Sequence, residues 1–286
     1  MIRVAILYIA IGEYIAFWPE FYRTFQEKFL VDCEKEYFVF TDSDDVMCAG
    51  DDCVHVVKEK DYGWPGNTLY RFSMFLRFEE ELESFDYIIF INSNFVCNEV
   101  VTSEDFLPLE NELLAMRFPS WENIRDSYRF PYERRRASTA CIPYLSFEGQ
   151  YYFAGGVQGG TAKAFLAACR HMEKNIKTDE ENGITALRND ESHWNRYLLD
   201  HPDFRHLSPS FAYPEGWNLP FRKRLIVLEK SNYINLPQKN DDNWRPQFSR
   251  RQLIVLKTFE RLKRLVMPKW EQCEDQLSPE ELNNVT

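Results

Sequence analysis

Two carboxamides one residue apart, Asn92 and Asn94, stand directly after the apolar run Tyr87-Ile-Ile-Phe-Ile91. That run is β-branched and aromatic and far too short for a bilayer, so it predicts a strand buried on both faces of a parallel sheet. Open α/β sheets take their ligands outside the carboxyl ends of such strands, which is where the pair falls. Carboxylates at this spacing hold a divalent metal against a diphosphate. Amides are poor ligands for hard cations and offer hydrogen bonds to phosphate or sugar instead. Asparagine also forms turns, so the blander reading is a capped strand end.

Three further features bear on chemistry. Glu191 lies in the first turn of a predicted helix, Asn189 to Asp200, three residues before Trp194 and on the same apolar side. The helix N-terminus is expected to keep it ionised, as suits a nucleophile or a stabiliser of positive charge. Acids are common in first turns whatever their use. Arg71 falls in the first turn of a helix predicted from Asn67, its N-cap, to about Leu82. A cation there is disfavoured unless an anion joins it, so the choice lies between an exposed arginine and a diphosphate ligand. Tyr151 to Gly160 leads aromatics into two glycine pairs, a strand that gives way to a turn where backbone approaches something closely, or simply a bulged connection.

The elements that must position these residues alternate. Arg3 to Ala10 reads as a strand, and Glu13 to Leu30 as an amphipathic helix with Phe17, Phe21, Phe25 and Phe29 in one stripe. Pro19 moves the helix start to about Trp18. Tyr37 to Phe40, Val54 to Val57, Leu113 to Met116 and Leu225 to Leu228 are further strands, and Ala162 to Glu173 a helix. Strand, helix, strand at this spacing predicts an α/β fold with a mostly parallel sheet. Tyr132-Glu-Arg-Arg-Arg136 lies in a long polar segment and reads as a solvated basic patch rather than an anion site.

The 286 residues carry a net charge of −11, which argues against nucleic acid. Seven cysteines without CxxC spacing and five histidines without ligand spacing predict reduced thiols and no metal centre. No run approaches bilayer length and the first residues are strand-like, so the expected location is the cytoplasm. Arg245 to Trp270 holds eight Lys or Arg and one Glu, with Leu253, Leu256, Phe259, Leu262, Leu265 and Val266 at helical spacing. This basic amphipathic helix either lies on the anionic inner membrane surface or packs on the body. The acidic Glu271 to Thr286 is expected to be disordered.

These stretches, in this order, resemble glycosyltransferase family 6, the family of the histo-blood-group A and B transferases and α-1,3-galactosyltransferase, and most of all its bacterial Asn-x-Asn members. The likeness spans residues 3 to 235 and rests on Tyr132-Glu-Arg-Arg with Ile142-Pro143, on Tyr151 to Gly160, on Asp190-Glu-Ser-His193 with Asn195, Tyr197 and Leu198, and on Leu207-Ser-Pro209. It implies a GT-A type nucleotide-sugar-binding domain over 1–236 and an extension over 237–286, with its helix at about 248–267. By resemblance, Tyr8, Ile9, Ala10 and Tyr14 hold uracil and ribose. Trp64, Arg71, Asn92, Asn94, Asp190 and Lys230 line the donor site, Arg71 and Lys230 offsetting diphosphate charge in place of a metal. Ala154, Gly155 and Gly156 fall where the donor sugar is selected, and Gly156 leaves room for an N-acetyl group. Glu191 matches the catalytic glutamate. Phe118, Arg188, Glu215 and Trp217 fall on the acceptor side, where Phe118-Pro-Ser-Trp121, Arg188-Asn189 and Pro131 depart from the usual pattern. The implied activity is retaining, metal-independent, α-1,3 transfer of GalNAc from UDP-GalNAc to a galactose-containing glycan or glycolipid, fucosylated or not. The alternatives are UDP-Gal as donor, or an inactive nucleotide-sugar-binding protein.

Overall fold

The computed structural model describes residues 1–108, 112–235, 246–269, 271, 273 and 275–278. The boundary expected at 236/237 lies outside the described residues. A seven-stranded sheet is built from β1 (Ile2–Ala10), β2 (Cys33–Thr41), β3 (Val54–Lys58), β4 (Tyr87–Ile91), β6 (Leu113–Arg117), β7 (Phe153–Thr161) and β8 (Phe204–Leu207). Its order is β3-β2-β1-β4-β7-β6-β8. A smaller sheet joins β5 (Phe95–Cys97), β10 (Leu225–Val227) and β9 (Tyr213–Pro214). Strands β3, β2, β1 and β4 are mutually parallel, as are β6 and β8, so the large sheet is mixed α/β and mostly parallel. The exception is β7, antiparallel to both its neighbours.

Helix α1 (Trp18–Lys28) follows a 3-10 turn, Gly12–Phe17, and takes Pro19 into its first turn, where no backbone N–H is required. Its phenylalanines pack on one face of the sheet, Phe21 and Phe25 stacking at 4.0 Å. The continuous helix expected from Asn67 to Leu82 is instead three pieces, α2 (Gly66–Leu69), α3 (Arg71–Leu76) and α4 (Glu79–Leu82). The backbone leaves helical geometry at Tyr70 (ψ 5°) and Phe78 (ψ 23°), which turns Arg71, Phe72 and Phe75 into the core. Asn67 is not an N-cap either. Its carboxamide accepts from Tyr62 N–H at 2.8 Å and donates to Asp61, closing the preceding loop. Short α5 (Ser103–Phe106) carries a capping box from Thr102. Helices α6 (Ala162–Glu181) and α7 (Asn189–Asp200) cover the second face of the sheet.

The Tyr151–Gly160 stretch does not end in a turn, as the glycines suggested, but runs through them as β7. A Cβ on Gly159 would stand 2.6 Å from Ile88 O, so only glycine lets β4 and β7 approach this closely. The pairing of β7 with β6 jumps from Ala115↔Gln158 to Met116↔Ala154. Gly155 to Val157 therefore bulge away from β6, a device that re-aims backbone beside a site.

The C-terminal helix α8 (Arg250–Val266) begins with a capping box from Ser249. It packs on the segment between β6 and β7 through only the first half of the apolar stripe read from the sequence, Leu253, Leu256 and Phe259, joined by two charged residues. Leu256, Glu260 and Lys263 face inward, while Leu262, Leu265 and Val266 are exposed. Part of the acidic tail is ordered against the body: Arg117 Nη1 donates to Glu271 O at 2.9 Å, and Leu277 N–H to Pro220 O at 2.9 Å. Its remaining residues lie outside those described. Among the described residues no helix is long and apolar enough to cross a membrane. All seven cysteines are free thiols.

Candidate active site

The β7 bulge and the first turn of α7 meet at Glu191. Its Oε1 accepts from Tyr152 Oη at 2.5 Å and its Oε2 from Gly155 N–H at 2.8 Å. Asn195 fixes the same junction, one helical turn on. Its side chain bonds Phe153 N–H at 3.0 Å and Phe153 O at 2.8 Å, so β7 and α7 move as one piece. A Cβ on Gly155 would meet Glu191 Cβ at 3.1 Å, which is why the strand must be glycine here. Glu191 keeps a partly exposed edge, yet burial of its carboxyl pushes its pKa up to about 7, against the lowering pull of the Tyr152 and Gly155 bonds. The ionisation expected from the helix N-terminus is thus opposed by desolvation, which brings the carboxyl's titration into the neutral range. Developing positive charge beside it would bring the carboxylate form back.

Beneath this lies a buried ion pair. Arg71 Nη1 stands 3.0 Å from Asp190 Oδ2 and donates to Gly155 O at 3.0 Å, with its guanidinium over the Phe90 ring. Burial pushes Asp190 up to about 6, and the Arg71 charge opposes this, so the pair is ionised at neutral pH. The sequence offered an exposed arginine or a diphosphate ligand. The structure holds Arg71 at 4% exposure, engaged from below with the backbone of the glycine that contacts Glu191.

At the end of β4, Asn92 N–H donates to Gly156 O at 2.9 Å, and a Cβ on Gly156 would lie 3.0 Å from Asn92 Nδ2. A side chain at 156 would press on the Asn92 carboxamide. Asn94 is buried, donating Nδ2 to Leu228 O at 2.7 Å, while its Oδ1 has no partner. Leu228 leads to Lys230, whose Nζ sits 4.9 Å above the Tyr14 ring. Expected donor residues from both ends of the chain are thus brought together. Tyr8 and Ala10 are fully buried, Tyr8 packing against Trp18 and Phe21 with its hydroxyl on Ser93 O. Their side chains belong to the core, and Ile9 between them is only partly buried.

The acceptor-side candidates do not form one cluster. Phe118 lies 6.0 Å from the Tyr152 ring, and the Arg188 charge acts to lower the Glu191 pKa, so these two flank the carboxylate. Glu215 is engaged elsewhere, accepting from Tyr233 Oη at 3.0 Å and Glu229 N–H at 2.8 Å. It holds the turn that carries Lys230. Trp217 is exposed beside it. Trp64, also exposed, lines a cleft of about 640 Å³ with Tyr132, Arg135, Ala186 and Asn189, reaching α7 two residues before Glu191. The Tyr132–Arg136 stretch is a solvated patch only at Arg135 and Arg136, which are exposed, while Tyr132, Glu133 and Arg134 are built into the body. Arg134 donates to Ile142 O, Pro143 O and Ser127 O, and Arg135 pairs with Glu133 at 2.7 Å. Tyr152 escaped the sequence reading, for it stands in an aromatic run that looks like core, and nothing local marks its hydroxyl.

A helix-borne carboxylate held by a glycine-bulged strand beside two strand-end carboxamides, on a mixed α/β sheet, defines a candidate group-transfer site at the sheet's carboxyl edge. Residues 1–236 match the model of glycosyltransferase family 6, and the chain belongs to that family. It is 31% identical over 227 residues to the O-antigen biosynthesis glycosyltransferase WbnI of Escherichia coli, covering 79% of this chain and 94% of that one. It is 29% identical over 250 residues to histo-blood group ABO system transferase 1 of Rattus norvegicus, covering 83% and 67% respectively. It is 28% identical over 240 residues to globoside alpha-1,3-N-acetylgalactosaminyltransferase 1 of Gallus gallus, covering 80% and 68%.

Proposed function

We propose that the chain is a retaining transferase that moves GalNAc from UDP-GalNAc in α-1,3 linkage to a galactose-containing glycan without a metal ion. The observation that carries this reading is the Glu191 carboxylate, held by Tyr152 and the Gly155 amide at the one place where β7 leaves β6. The C1–O bond to UDP breaks with its electron pair leaving on the diphosphate, and Glu191 meets the positive charge left at the anomeric carbon. It does so either as a nucleophile, forming a glycosyl-enzyme, or as the stabiliser of a front-side displacement. The acceptor oxygen then bonds to that carbon, breaking the carbon–Glu191 bond where one has formed, and the hydroxyl proton passes to the diphosphate oxygen of the departing UDP.

Support for the donor choice comes from the resemblance at Gly156, where any side chain would press on the Asn92 carboxamide and so crowd this end of β4. Asn94 Oδ1, buried without a donor, suits a sugar hydroxyl or amide N–H. Amides at 92 and 94 supply no carboxylate for a hard cation, so Lys230 is the nearest candidate to balance leaving-group charge. Arg71, bound to Asp190 and Gly155, positions the glycine bulge instead.

The test is UDP release from UDP-GalNAc and from UDP-Gal in EDTA, with plain and fucosylated galactosides. Turnover in EDTA with GalNAc preferred supports the reading, and activity that requires manganese overturns its metal-free part. Glu191→Gln should cut transfer by about 10³-fold or more while UDP binding stays within about twofold. A near-normal rate would remove Glu191 from the mechanism.

A further inference from the structure

Helix α8 divides its surface into three sectors. The inner one is fastened to the body by polar groups: Lys263 Nζ donates to Ser127 Oγ at 3.1 Å and Gly149 O at 2.9 Å, and Ser127 Oγ donates to Glu260 Oε1 at 2.6 Å. Arg264 pairs with Asp126, and Phe259 packs 5.0 Å from Phe147. The second sector is apolar and open. Ile254, Val255, Leu262, Leu265 and Val266 are all exposed, Leu265 at 81% and Val266 at 70%, and at ~100° per residue they fall within about 120° of one another. The third sector carries Arg250, Lys257, Arg261 and Arg264, with Arg251 inside the apolar arc.

The one acid of this helix, Glu260, is buried, so every exposed charge on α8 is positive. This stands against a chain net charge of −11. A protein partner could match the apolar arc or the cations. A surface of acyl chains beneath anionic headgroups matches both at once, in the order the helix presents them.

We infer that the outer face of α8 docks the protein on an anionic lipid bilayer, with the apolar arc entering the headgroup layer and the cations on lipid phosphates. The helix lies in the surface plane because its inner sector is already fixed to the body. The inference is independent of donor, acceptor and mechanism.

Flotation of the full chain with vesicles tests it. Binding to phosphatidylcholine vesicles containing phosphatidylglycerol is expected, with loss on phosphatidylcholine alone and in high salt. Lys257→Glu/Arg261→Glu should weaken vesicle affinity by about tenfold or more, at ~1 kcal/mol per cation near an anionic surface. Leu262→Glu/Leu265→Glu should abolish flotation, and both variants should keep the wild-type melting temperature and UDP affinity. Wild-type protein that does not float, or variants that float unchanged, overturns the inference. So does a lipid-free dimer that Leu262→Glu/Leu265→Glu converts to monomer, since a second copy would then own the face.

Discussion

At the scale of single residues, Tyr152 sets the state of Glu191. Its ring packs 5.5 Å from Tyr132 and 6.0 Å from Phe130, so Tyr152→Phe removes one hydroxyl and leaves the packing intact. The hydroxyl favours the charged carboxylate, so without it the Glu191 pKa rises further above about 7. In the proposed mechanism transfer needs the carboxylate, so the acid limb of the rate profile should move to higher pH, with rates at pH 7 falling about tenfold or more. A pH profile compared with wild type checks this, and an unshifted limb would show that the hydroxyl does not tune Glu191. The carboxylate itself was legible, because an acid on the apolar side of a first turn stands out. Its protonation was not. A dipole can be read from neighbours in sequence, whereas the burial that raises the pKa, and the Tyr152 and Gly155 bonds that oppose it, come from parts of the chain that meet Glu191 only in the fold.

Among elements, β7 carries the most. Gly159→Ala would place a methyl 2.6 Å from Ile88 O and 2.7 Å from Ile89 Cδ1, inside the central strand pair. The strands must part, at a cost of about 1–3 kcal/mol, and thermal unfolding should shift down by several degrees. An unchanged melting temperature would mean that β4 and β7 have slack. β1, β2, β3, β4, β6 and β10 were marked by their apolar runs and α1, α6 and α7 were visible too, whereas the short β5, β8 and β9 carry no such run. The sequence was misread where backbone geometry answers to tertiary contact. Glycines that permit strand contact look like turn formers, and the break at Tyr70 has no local signal, since it serves to bury Arg71 against Asp190.

For the whole molecule, the question is what joins the C-terminal helix to the rest. Lys263 donates to Ser127 and to the carbonyls of Glu148 and Gly149, Ser127 in turn bonds Glu260, and burial lowers the Lys263 pKa to about 8, so at neutral pH it remains charged. Lys263→Ala would leave Glu260 buried without its cation, costing about 2–4 kcal/mol. Limited proteolysis should then cut within α8 much faster than in wild type, and equal rates would place the anchoring elsewhere. The sequence announced this helix through its charge, but its seat depends on Asp126, Ser127 and Gly149, far away in the chain. Because β7 runs against its neighbours, it starts at the edge where β4 and β6 end, and the connection from Phe118 to Tyr152 begins and ends at that edge, beside the site. That connection is the same segment on which α8 rests. Anyone who transplants it to alter what the enzyme recognises must carry the helix along, for the two are one heritable cassette.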